Sequence, residues 1–253
     1  MKRRAPERPA VGRRHIDGGT IARDERARLV ASEWLRRVEA EYRSAAATQE
    51  LGLWLLQIGA SPDLVRATGR ITRDELAHAE LSMRCHVAAG GAETPVMAEA
   101  SLGLTRRHAR LLDDVVCAGV EIFCLGETVA VPLFAEMRRG CDVPAARRAL
   151  DRVLRDEVRH RDFGWTLLGW LLEQPFEGHV RELVARELPE MFARVRASYA
   201  PAHAPVSDLS REARRWGLIP VARYGEILAR AAERDYFPRF ETMGIDARAA
   251  WTT

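Results

Sequence analysis

Apolar positions along this chain recur at threes and fours over long stretches and nowhere alternate in twos, a pattern that predicts helices and no strands. From about Asp24 to Ile58, the residues Leu29, Trp34, Leu35, Val38, Tyr42, Leu51, Leu55 and Ile58 mark one face of a first helix, and Gly59 supplies its stop. Ser61 and Pro62 read as N-cap and first position of a second helix that runs to the AAGGA at 88–92. These two segments predict an antiparallel hairpin. A connection over 89–104 carries Gly90, Gly91 and Pro95, after which Thr105 caps a third long helix ending near Arg139 and Gly140. Asp142 and Pro144 repeat the opening signal for a fourth helix, which ends before Pro175. Pro132 lies inside the third helix, where it predicts a kink or a widened turn just past Glu127, with Gly126 adding local softness.

The expected fold class is therefore all-α: two helical hairpins joined by one long crossover, over residues 24–175, followed by a helical extension at 176–253. Within that extension 176–199 read as an amphipathic fifth helix, 201–206 (PAHAPV) as a linker, and 207–233 as two shorter helices packing on the bundle. The segment from Asp235 onward carries no clear pattern. Trp165, Trp170 and Trp216 are candidates to dock the extension or to line a pocket beneath it.

Composition narrows the class without naming a function. A chain of 253 residues, 47% apolar and 30% charged, suits one sizeable core. No apolar run of the length of a membrane span stands out, and the start MKRRAPERPAVGRRH lacks the apolar segment of a secretory signal, so a cytoplasmic location without a membrane span is expected. The formal charge of +3 comes from the first fifteen residues, which hold six Lys or Arg against one Glu. Residues 1–23 are expected to form a disordered basic tail, and the near-neutral remainder predicts no specific nucleic-acid partner. Cys85, Cys117, Cys124 and Cys141 form no CxxC pair and read as small buried apolar groups.

The chemistry lies in a repeat. Residues 74–78 read DELAH and residues 156–160 read DEVRH, so Glu75 and His78 project from one side of the second helix, and Glu157 and His160 from one side of the fourth. One such pair is weak evidence of a metal site, whereas two at matching places in successive hairpins carry more. Each preceding helix supplies a facing carboxylate. Glu41 lies roughly 26 Å of helix before Ile58, against roughly 20 Å from Pro62 to Glu75; Glu127 lies roughly 18 Å before Arg139, against roughly 21 Å from Val143 to Glu157. Glu50 is too near the hairpin end and Glu39 points away from the Glu41 face. Glu121, about 120° aside from Glu127, is the candidate for an extra ligand reached through the distortion around Gly126 and Pro132. The expected ligands are Glu41, Glu75, His78, Glu127, Glu157 and His160. Four carboxylates in a dry interior offset the charge of two divalent ions, the arrangement of di-iron and di-manganese carboxylate bundles. Mixed oxygen and nitrogen ligation suits iron or manganese and disfavours structural zinc.

In these residues the chain resembles the ferritin-like superfamily of diiron carboxylate proteins, most of all a bacterial branch. That branch carries a first-helix Glu about 18 residues before a GA turn, here EYRSAAATQELGLWLLQIGAS from Glu41, then DELAHAE, GET at 126–128 and DEVRHRDFGW. The resemblance covers about residues 30–173; Tyr42 and Arg161 depart from the pattern without touching a ligand position. It implies a ferritin-like four-helix bundle. It also implies that Asp74 orients His160 and Asp156 orients His78 across the helix interface; on its own helix, Asp156 can instead pair with His160, four residues on.

A pair of iron ions, with Fe/Mn or Mn/Mn as alternatives, would take O2 as co-substrate and oxidise a small or medium-sized organic molecule by hydroxylation, N-oxygenation, desaturation or oxidative cleavage. Electrons would come from a separate reductase or from the substrate. Ala45, Thr48, Ile71, Ser82, Cys124, Val131, Val153 and Gly164, one or two turns from the ligands, are the candidate pocket. The hydroxyls of Thr48 and Ser82 can hold a bound oxygen or bond back to their own helix, and Cys124 can tune the site or simply fill space. Two other functions share the pattern: ferritin-like iron oxidation, storage or peroxide detoxification, and a non-catalytic helical binding protein. The oligomeric state is open, and a dimer is compatible with the sequence.

Overall fold

Helix-forming residues without a proline or glycine break follow Gly19, and the first helix accordingly starts earlier than the apolar pattern alone indicates. In the computed structural model, residues 18–200 and 209–252 are described, with side chains for 27–200 and 209–252. Helix α1 spans Gly18–Gln57, so Gly18 to Arg23 are helical instead of belonging to a tail. The rest of the expected basic tail and the PAHAPV linker lie outside the described residues.

Gly59, at φ 72°, ends α1 in the left-handed conformation that favours glycine and turns the chain into α2 (Pro62–Ala88). Ser61 sits at the N-cap of α2 and Pro62 opens its first turn, although the Ser61 hydroxyl makes no capping bond. The two helices form the most extensively packed pair in the molecule. A crossover with one short 3-10 turn (Glu99–Ser101) leads to a continuous helix over Leu111–Gly140, made of α3 (Leu111–Ala118), a π-helical stretch (Gly119–Glu127) and α4 (Thr128–Gly140). This helix starts at Leu111, not at Thr105, because Asp114 gathers the preceding loop. Its carboxylate accepts from the Arg107 and His108 backbone N–H groups and from the Arg106 side chain, holding these residues in a bent loop outside the helix. Glu121 and Glu127 are the only charged residues from Val115 to Pro132, so by length and composition this helix passes for a membrane span. It is instead mostly buried among the other helices.

Helix α5 (Pro144–Leu172) returns against the π-helical stretch, α2 and α4. Asp142, expected as its cap, pairs with Arg215, and the backbone N–H groups of Asp142 and Val143 donate to the Arg215 carbonyl at 3.0 and 3.1 Å. The close approach of α5 depends on Gly164: a Cβ there would stand 2.6 Å from the Phe123 carbonyl carbon and 2.6 Å from its Cβ. The widened turn therefore precedes Glu127 instead of following it. The wider backbone lies where α5 presses in, and Pro132 is accommodated inside α4. The Leu125 carbonyl in this stretch accepts the Tyr236 phenol at 2.7 Å as well as the Thr128 N–H.

Tyr236 comes from the C-terminal part, where α6 (Glu177–Tyr199), α7 (Arg211–Arg215), α8 (Val221–Ala231), a π-helical turn (Ala232–Tyr236), α9 (Phe237–Thr242) and α10 (Ala247–Thr252) cover one side of the bundle. The last two helices fall in the segment that showed no pattern; they are too short for a periodic stripe and are held by Phe237, Phe240, Ile245, Ala247 and Ala250 in the core. Trp165 packs edge-on to Phe240 at 5.0 Å and donates to the Thr128 hydroxyl at 2.9 Å, joining α5, α4 and α9. Trp170 and Trp216 sit half-buried at the core margin. Among the described residues there is no strand, and the molecule is a helical bundle.

Candidate metal centre

Four helices each bring one carboxylate to the middle of this bundle, and two of them add an imidazole one turn further on. Glu75, His78, Glu157 and His160 are at most 2% exposed, and Glu41 and Glu127 are each 8% exposed. Their ligand atoms fall into two groups, each with all atoms within 4.8 Å of one another: Glu41, Glu75, His78 and Glu157, and Glu75, Glu127, Glu157 and His160. Glu75 and Glu157 belong to both. His78 Nδ1 lies 3.8 Å from Glu41, 3.6 Å from Glu75 and 3.7 Å from Glu157; His160 Nδ1 lies 3.2 Å from Glu75 and 3.5 Å from Glu157. The two rings stand 5.8 Å apart.

These atoms do not satisfy one another. Glu75 Oε2, His78 Nδ1, Glu157 Oε2 and His160 Nδ1 are buried with no hydrogen-bond partner, an arrangement that costs stability unless something else fills the space between them. Protons carry part of the load in the protein alone. Burial raises Glu41 to about 7 and Glu157 to about 8, and burial with the repulsion of Glu157 raises Glu127 well above its ordinary value. Burial opposes charge on His78, but the nearby carboxylates of Glu41 and Glu75 push it up to about 11; the facing imidazoles of His160 and His78 outweigh burial and hold Glu75 low. This buried cluster of carboxylates and imidazoles can hold metal ions.

The aspartates preceding the two glutamates cross the interface. Asp156 Oδ2 lies 3.2 Å from Nε2 of His78 on α2, and Asp74 Oδ2 lies 3.5 Å from Nε2 of His160 on α5. Asp156 is thus paired with His78, not with His160 of its own helix. Arg152 and Arg159 each reach both aspartates: Arg152 donates to Asp74 at 2.9 Å and to Asp156, and Arg159 donates to Asp74 at 3.0 Å and to Asp156 at 2.7 Å. Against the penalty of burial, these guanidinium bonds and the one to His78 bring Asp156 to about 2, so it stays a carboxylate acceptor for the imidazole. The two arginines went unremarked in the sequence, although their places four before and three after Asp156 on an exposed helix edge were a usable signal.

Around the cluster, Ala45, Thr48, Ile71, Ser82, Cys124, Val153 and Gly164 are buried and Val131 is half-buried. Phe123 and Phe163, next in sequence to Cys124 and Gly164, are buried and pack edge to face at 4.8 Å. Burial drives the Cys124 thiol ionisation far upward, which makes it a neutral apolar filler. Glu121 does not approach the cluster; Arg194 of α6 binds both of its oxygens at 2.7 and 2.9 Å, and Arg107 lies 3.8 Å away. Tyr42 is 42% exposed and Trp54 is buried in the core. Sequence reasoning passed over Tyr199, at the end of α6. Its half-buried phenol is within electrostatic reach of Glu127, Glu157 and Glu41, and burial followed by these acids pushes its ionisation upward. No local pattern marks a residue brought to a site from a later helix.

Comparison with known protein families, curated proteins and solved structures finds no match to this chain.

Proposed function

We propose that this protein is an O2-activating non-haem diiron oxidase or oxygenase, built on a ferritin-like four-helix bundle and acting on a small or medium-sized organic substrate. The observation that carries the reading is the sharing of Glu75 and Glu157 between two four-ligand groups, which makes two adjacent cation positions. The donor set fits such a pair: four carboxylates balance two divalent charges, and the orphaned oxygens and imidazole nitrogens find partners. A ferrous pair bound there would supply two electrons to O2.

The chain's own residues set the conditions. Asp156 holds the His78 proton on Nε2 and leaves Nδ1 facing the cluster; Asp74 lies on the Nε2 side of His160 at 3.5 Å, without a hydrogen bond in the protein alone. Phe123, Phe163 and Ile71 exclude water on one side. Glu41 and Glu127 retain the residual exposure of the cluster, so the side shared by α1 and the π-helical stretch is the route for O2 and substrate.

The test is anaerobic loading with ferrous iron followed by exposure to O2 in an oxygen electrode. The expected result is uptake of about one O2 per two ferrous ions, far faster than in protein-free solution and absent in Glu75→Ala and Glu157→Ala. Ferrous iron that binds yet oxidises no faster than free iron would overturn the reading.

A further inference from the structure

Among the described residues, nine buried side-chain nitrogen and oxygen atoms lack a hydrogen-bond partner. Five belong to Glu75, His78, Glu157 and His160; the other four are Trp34 Nε1, Arg37 Nη1, Ser44 Oγ and Thr48 Oγ1, all on α1. At about 100° per residue, Arg37, Glu41, Ser44 and Thr48 fall within roughly 60° of one another, and Trp34 flanks the same stripe. The unpaired atoms thus continue the cluster along one line of one helix, above and below Glu41.

The stripe has a polarity. Trp34 and Arg37 can only donate hydrogen bonds, so the upper part asks for an acceptor. No carboxylate among the described residues pairs with Arg37. Its guanidinium lies over the Trp34 ring at 4.3 Å and 6.0 Å from the Phe134 ring, with Nη2 on the Met137 sulfur at 3.1 Å. Below Glu41, Ser44 and Thr48 do not bond back to their own helix, as Ser32, Thr68, Thr72, Thr166 and Ser198 do. Their hydroxyls are free for a ligand group of either sense.

We propose that this stripe is a substrate-binding track, and that the substrate is an organic carboxylate whose acid group is held by Arg37 and the Trp34 N–H, with its body passing Glu41 toward Ser44. Arg37 precedes Glu41 by one turn, about 6 Å of rise, and its side chain leans toward the start of the helix. The reacting carbon is therefore several bonds from the carboxylate. The proposal rests on the metal-centre reading and adds the chemical class of substrate to it.

The experiment is calorimetric titration of the full chain with hexanoate, decanoate and benzoate, each against its neutral partner, hexanol, decanol or benzyl alcohol, in both metal-loaded and chelator-treated protein. At least one carboxylate is expected to bind about tenfold or more tightly than its alcohol, in both states. Arg37→Met is expected to abolish that preference while binding metal in the parent's ratio, and Arg37→Lys to restore part of it. Carboxylates that bind no tighter than alcohols in the unaltered protein, or a preference that survives in Arg37→Met, overturn the track; so does binding seen only in metal-loaded protein and insensitive to Arg37, which places the acid on the cations. Loss of metal binding alone, with the Arg37-dependent preference intact, contradicts the metal centre and not the track.

Discussion

The Asp156 carboxylate lies 3.2 Å from Nε2 of His78, across a helix interface and 78 residues away in sequence. That contact fixes which imidazole nitrogen faces the cluster, because a carboxylate opposite Nε2 keeps a proton there and turns Nδ1 toward the facing glutamates. Asp156→Ala is expected to leave the fold intact and to lower cation affinity by about 10–100-fold, with Asp74→Ala giving a change of the same direction. Competition against a chromophoric chelator measures it.

Protons and cations compete for the cluster. Glu41 and Glu157, at about 7 and about 8 in the protein alone, are raised from an ordinary 4.5. A carboxylate raised by folding contributes stability at pH below its unfolded value, and that contribution is lost as pH rises through the folded value. His78, raised to about 11, acts in the same direction at higher pH. The metal-free protein is therefore expected to melt at progressively lower temperature from pH 5 to 9, and saturating manganese or ferrous iron is expected to remove most of that slope. Thermal denaturation across pH, with and without chelator, checks both.

Gly164 is where α5 meets the π-helical stretch. Gly164→Ala is expected to cost about 1–3 kcal/mol, because the added carbon strikes the Phe123 backbone and the two helices must part. Gly169→Ala on the same helix meets nothing within 4 Å and is expected to be neutral or to stabilise by up to about 1 kcal/mol. Chemical denaturation separates the two.

Tyr236 donates to a carbonyl of the same stretch, which also accepts the Thr128 N–H. Tyr236→Phe is expected to cost about 0.5–1.5 kcal/mol and to leave metal stoichiometry unchanged, as read by denaturation and metal analysis.

The long helices were legible because each buries a continuous apolar stripe, and the six clustered residues because three- and four-residue spacing on a helix fixes a face. Spacing set Glu121 about 120° aside from Glu127 and left it a candidate only through a distortion of the helix; the π-helical stretch is there, but Arg194, a partner from a later helix, holds Glu121 elsewhere. Thr105 carried a cap signal that Asp114 overrode by holding the loop from within the helix. The helices after Tyr236 were invisible because their apolar residues are set by tertiary packing and not by a period. Tyr199 and the unpaired stripe of α1 required knowledge of what lies across from each residue, which one sequence does not contain.

If Glu75 and Glu157 each serve two cations at once, as proposed, the number of metal ions bound per chain shows it. Anaerobic titration with ferrous iron, followed by mass-spectrometric metal analysis of the desalted protein, is expected to give two ions per chain. Glu75→Ala and Glu157→Ala are each expected to lose both ions, whereas His78→Ala is expected to lose chiefly one. A single ion per chain, or shared and unshared ligands with the same effect, would rule out a pair of cations bridged by Glu75 and Glu157.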